Sequence, residues 1–139
     1  MQTFLPYPNF RQSASVLDWR RLGKQRVEAY QLLLAMNNPL QKGWKNHPAY
    51  LIWQGHDVQL ALYAISMCDE WTDRGYKDTT RNKILSVLET SKYKNYDLPP
   101  IFGREDYHSS HRAALLKKQY DHYSQFGWTE EPIQNYVWI

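Results

Sequence analysis

Residues 15–36 read SVLDWRRLGKQRVEAYQLLLAM, and the architecture turns on how this stretch is parsed. Leu22, Arg26, Ala29, Leu33 and Met36 recur at intervals of three and four, which predicts a long helix with one mostly apolar stripe. Ser15 is placed to cap its N-terminus, with Asp18 three residues on as a shortened capping box. At ~100° per residue, Arg21, Lys24, Gln25 and Glu28 form a polar ridge beside that stripe. One carboxylate is thus expected among basic and amide groups where core meets solvent. On helix statistics alone, Lys24 and Glu28 are an ordinary exposed i,i+4 pair worth roughly 0.3–0.5 kcal/mol. At a cleft edge, however, a carboxylate can move protons or hold a cationic intermediate, and flanking cations can hold phosphates.

The chain around this helix has 139 residues, which suits one domain (1–139) with a real core. A net charge of +3 is mildly basic and compatible with a nucleic-acid ligand. Six Trp and eleven Tyr make the chain aromatic-rich; most of these rings are expected in the core, with a minority left to stack on bases. The lone Cys68 excludes an internal disulfide and a cysteine-based zinc site, and its apolar neighbours mark it as a buried thiol. No charged-then-apolar leader opens the chain, and no apolar run approaches the ~20 residues of a membrane span. A soluble, cytoplasmic protein without a membrane partner is expected.

Before the first helix, Met1 to Ser13 is expected to be an extended or irregular arm, because Pro6 and Pro8 forbid a helix while Phe4, Leu5, Tyr7 and Phe10 seek burial. Such an arm can bring an α-amine, the most easily deprotonated amine type of a chain, to a chosen place. After the helix, Lys42-Gly43-Trp44-Lys45-Asn46-His47-Pro48 gathers cations, a ring, an amide and an imidazole on a flexible backbone. This reads as a ligand loop, or as a turn with Trp44 in the core and Asn46 capping a short helix from Pro48 to Trp53. Asp57 then caps a core helix carrying Leu60, Ala64, Met67 and Trp71 and ending at Gly75.

Thr79 or Thr80 starts the next helix. Lys92, Tyr93, Lys94 and Tyr96 interleave cations with rings in the loop that follows, a weak nucleic-acid signal. A last helix is predicted from Asp106 to Phe126, with His108, His111, Leu115, Lys118 and His122 on one face and Arg112, Lys117 and Lys118 adding charge. The spacing of His108 and His111 would suit a metal, but no carboxylate partner is evident, so they read as pocket or packing imidazoles. No metal and no cofactor are expected. The tail from Trp128 is irregular, and Tyr136 and Trp138 either seal the core or flank the ligand.

In order, then, the chain carries Leu17, Asp18 and Leu22; Arg26, Glu28 and Ala29; Lys42, Gly43, Trp44, Asn46, His47 and Pro48; and Arg74, Gly75 and Tyr76. This succession resembles the pyrimidine-dimer DNA glycosylases, the endonuclease V type of phage and bacteria, over about residues 15–80. The resemblance implies a compact all-α domain that cuts the glycosidic bond of a damaged pyrimidine and then nicks the backbone. It implies the N-terminal α-amine as nucleophile, forming an imine with C1′, and a glutamate on the first long helix, here Glu28, as the essential carboxylate. Three features depart from the phage pattern. Bulky Gln2 implies that Met1 is retained and carries the amine; Val27 replaces an arginine directly before the glutamate, with Arg26 one residue earlier; and the arm is longer.

Together these readings predict an all-α, compact single-domain helical bundle with an extended N-terminal arm and an irregular aromatic C-terminal tail. The leading function is a DNA N-glycosylase, with abasic-site lyase activity as its second step, acting on a damaged or modified pyrimidine. Its rivals are a nucleotide-binding or nucleotide-cleaving protein on the same scaffold and a DNA-binding module without chemistry. Glu28 and Met1 are the candidate catalytic groups. Arg21, Lys24, Gln25, Arg26, Lys42, Trp44, Lys45, Asn46, His47, His108, His111, Arg112 and Lys117 are the candidate contacts to DNA or nucleotide.

Overall fold

The structure is a computed structural model and describes residues 1–40, 43 and 45–138. Among these it is all-α, as the sequence predicts, with no strand. The elements are α1 (Phe10–Val16), α2 (Trp19–Asn37), α3 (Pro48–Trp53), α4 (Asp57–Asp73), α5 (Arg81–Thr90), α6 (Glu105–Lys118) and α7 (Tyr120–Tyr123), with a 3-10 turn over Ser124–Phe126. No helix is long and apolar enough to cross a membrane among the described residues.

The predicted first helix is two. Asn9 accepts the Gln12 N–H and starts α1, so the arm is extended only to that point. Ser15 lies inside α1 and caps nothing; its hydroxyl donates to the Gln12 carbonyl. Leu17 turns extended, and Asp18 is the N-cap of α2, accepting the Arg21 N–H. Two further caps fall one residue from their expected places. The His47 imidazole, and not Asn46, accepts the Ala49 N–H at the start of α3. Asp57 is the first residue of α4, and its buried carboxylate instead accepts from the Ser91 hydroxyl and the N–H groups of Lys94 and Asn95, tying down the loop after α5.

The core forms where α2 packs on α4. Leu22, Leu32, Leu33 and Met36 meet Leu60, Ala64, Met67 and Cys68, all essentially inaccessible to solvent. Close approach explains a glycine inside a long helix: a Cβ on Gly23 would lie 3.1 Å from the Trp71 ring. The same ring stacks on Tyr76 and carries the Arg26 guanidinium 4.4 Å from its centroid. A second aromatic cluster joins Phe10, Trp53, Tyr63 and Phe102 beneath the arm.

The predicted last helix is also broken. It stops at Lys118, Gln119 adopts an extended φ of −154°, and the chain resumes as α7. Gly127, at φ +74°, ends the following turn in the left-handed region that favours glycine. This break matters, because it turns the α6 terminus toward the N-terminus of α2.

Candidate active site

A cleft of about 560 Å³ opens where four segments meet. The arm contributes Met1, Gln2 and Phe4; α2 contributes Arg20, Arg21, Lys24, Gln25 and Glu28; the α6–α7 junction gives Lys118 and Gln119; and the tail gives Gln134 and Tyr136. The α2 residues reach one wall because Arg20, Lys24 and Glu28 follow one another at four-residue steps, with Arg21 and Gln25 in the adjacent row. The structure therefore gathers Met1, Arg21, Lys24, Gln25 and Glu28 at one place.

Glu28 is half-buried. Burial pushes its carboxyl above the ordinary glutamate value, against the opposing pull of Lys24, the Met1 α-ammonium and the Gln2 N–H. The same α-ammonium acts on His47, whose imidazole is pushed below its usual value by burial and by that charge. Met1 itself packs its side chain against the core. The terminal nitrogen thus lies within electrostatic reach of a carboxylate and an imidazole. The opposite rim is cationic. The Lys118 ammonium is pushed down by partial desolvation and by Arg21 and Lys117, the signature of crowded like charges. Arg21 is anchored by Asp18 and by the Gln119 side-chain oxygen, at 3.1 and 3.2 Å. Among the described residues, Arg20, Lys24, Lys117 and Lys118 form no ion pair.

Other candidate contacts lie elsewhere. Arg26 points away from the cleft and pairs with Asp78, whose carboxylate also accepts the Thr80 and Arg81 N–H groups at the start of α5. Arg112 is occupied by Glu130, Glu105 and the Pro6 carbonyl. His108 and His111 are wholly buried beneath the arm: the His111 Nδ1 accepts the Leu5 N–H, and the His108 Nδ1 donates to the Leu5 carbonyl while its Nε2 accepts the Gly103 N–H. They are packing imidazoles, removed from the cleft because the arm lies over them. Lys45 donates to the Asn38 carbonyl, and Asn46 is exposed. His47 caps α3 and meets Trp138 edge-on, and does not line the cleft. Lys117 is exposed beside Lys118. Lys42 and Trp44 lie outside the described residues.

The cleft also holds residues that no sequence motif singles out. Arg20 is legible from its four-residue step to Lys24 and Glu28. Gln2, Phe4, Gln119 and Gln134 carry no local signal, since only the packing of the arm, the α6 terminus and the tail brings them in. A separate groove of about 400 Å³ between α3 and the Pro99–Ile101 turn, roofed by Trp138, has an almost wholly apolar lining and none of these groups.

No curated protein and no solved structure matches the chain. A family model, that of the pyrimidine dimer DNA glycosylases, matches residues 1–84, which hold the arm, α1 to α4 and both Met1 and Glu28. That span is more than half of the sequence, and the chain belongs to the pyrimidine dimer DNA glycosylase family.

Proposed function

We propose that the protein is a DNA N-glycosylase with abasic-site lyase activity, acting on a damaged or modified pyrimidine. The single observation that carries this reading is the shared basic cleft, in which Met1 and Glu28 lie together. The cations around it suit the phosphates flanking an extruded nucleotide. The neutral Met1 amine attacks C1′, and the glycosidic bond breaks with its electron pair going to the pyrimidine, which takes up a proton. Glu28 accepts a proton from the new C1′ ammonium. The nitrogen lone pair then expels O4′, which receives that proton from Glu28, and a protonated imine remains. Loss of a C2′ proton expels the 3′ phosphate and nicks the strand. A carboxyl raised above its ordinary value suits a group that must both take and return a proton.

Borohydride tests the reading. It should reduce the imine on abasic and ultraviolet-irradiated duplexes to a stable adduct, mapped by mass spectrometry to residue 1. Acetylating the terminus should abolish the adduct with the fold intact. Glycosidic cleavage without any adduct would make water the nucleophile and remove the lyase half of the proposal.

A further inference from the structure

The arm is held by side chains, and α2, α3, α4 and α6 each supply a grip of a different kind. From α2, the Gln25 amide nitrogen donates to the Gln2 carbonyl at 2.7 Å, and the Gln25 oxygen accepts the Phe4 N–H at 3.1 Å. From α3, the Trp53 indole donates to the Thr3 hydroxyl at 2.9 Å. From α4, the Tyr63 hydroxyl stands 2.5 Å from the Gln25 oxygen and 3.0 Å from the Phe4 carbonyl, with one proton to give. From α6, His111 and His108 take the Leu5 N–H and carbonyl at 2.9 and 2.7 Å. Gln2 to Leu5 are all nearly or fully buried. An extended strand in a core normally satisfies its backbone by pairing with another strand; here, side chains serve instead.

Gln25 holds the end of this series nearest the terminus. It is 2% exposed, and it grips backbone on both sides of Thr3 with both ends of one planar amide. A two-point grip fixes both the direction and the register of the arm. A one-residue slip would displace the terminal nitrogen by about 3.5 Å, more than a reacting pair tolerates. Glu28 lies one helical turn beyond Gln25 on α2, so one rigid element sets the carboxylate and the arm together.

We infer that Gln25, oriented by Tyr63, is the positioning residue for the Met1 amine, holding it in register with Glu28. Gln25 touches no reacting atom. The inference rests on the proposed amine chemistry and specifies how the fold delivers that amine.

The test measures single-turnover borohydride trapping on an abasic duplex alongside the Kd for the same duplex and the thermal melt. In Gln25→Leu the trapping rate should fall by about tenfold to a hundredfold, well beyond any accompanying change in Kd, with a cooperative melt. Gln25→Glu, which keeps the acceptor but loses the donor to Gln2, should fall less. Tyr63→Phe deletes only the hydroxyl and is read in the same way, so the inference stays testable should Gln25→Leu not fold. One glycine added before Met1 leaves the grip intact and moves the amine, and should also slow trapping. Wild-type trapping rates in folded Gln25 or Tyr63 variants would overturn the inference. Absence of trapping in the wild-type protein would instead overturn the amine chemistry itself.

Discussion

The Tyr123 hydroxyl donates to the Asp18 carboxylate at 2.5 Å and accepts the Asp18 N–H at 3.0 Å. A residue near the C-terminus thereby completes the N-cap of the helix that carries Glu28. Asp18 is 3% exposed. Burial raises its carboxyl, but hydrogen bonds from Tyr123 and Arg21 outweigh that and hold it below the usual aspartate value. Tyr123→Phe leaves this buried carboxylate one donor short and should cost about 1–3 kcal/mol in denaturant unfolding. A loss below about 0.5 kcal/mol would mean that solvent replaces the hydroxyl without difficulty.

Glu28→Gln should lower glycosidic cleavage by roughly 10²–10⁴-fold, the range general acid–base groups supply. Stability should move the other way. The Glu28 carboxyl is raised in the folded protein, so the folded state holds that proton more tightly than the unfolded chain. Its contribution therefore declines as pH rises from the unfolded value through the folded one, and at pH 7 the ionised group weakens the fold. The variant should melt at or above the wild-type temperature at pH 7 and bind an abasic duplex as the wild type does. A lower melting temperature would show that attraction to Lys24 and the α-ammonium outweighs burial.

Lys117→Glu and Lys118→Glu probe the cationic rim. Each should weaken binding to a damaged duplex and reduce the slope of log K against log salt by about 0.9 for every phosphate that is no longer neutralised. Steep wild-type salt dependence would separate a DNA ligand from a free nucleotide. An unchanged slope in both variants would favour the small-ligand reading of the cleft.

Acid should loosen the arm first. Burial pushes the His111 imidazole down to about 3 and also lowers His108. His111 therefore stays neutral in the fold where the unfolded chain takes up a proton near pH 6.5, and His108 departs in the same direction. Their stabilisation is thus present above about pH 6.5 and lost as pH falls below it, by about 1.4 kcal/mol per pH unit for each proton. Asp18 and Asp57, both held below the usual aspartate value, extend the loss below about pH 4. His111→Asn should flatten the stability profile between about pH 6.5 and pH 4. An unaltered profile in equilibrium unfolding would show that these imidazoles do not govern it.

The all-α class, the helices that pack as the core and the family are all legible in the amino-acid order. So is the phase of Arg21, Lys24, Gln25 and Glu28 on one helix, because residues three and four apart share a face whatever surrounds them. What those faces meet depends on the folded chain as a whole. Ser15, Asp18 and Asn9 are all competent caps in sequence; the break at Leu17 and the long-range bond from Tyr123 select Asp18 for α2. His108, His111 and Arg112 share the chemistry of a phosphate pocket, yet the arm folds over them, the Nδ1 of each imidazole bonds Leu5, and Arg112 is taken by the Pro6 carbonyl, Glu105 and Glu130. Arg26 is taken by Asp78 in the same way. Lys118, Gln119 and Tyr136 become a wall of the cleft only through the break after α6 and the path of the tail. Helix phase is a property of neighbouring residues, whereas the partner of a buried polar group is set by segments far away along the chain.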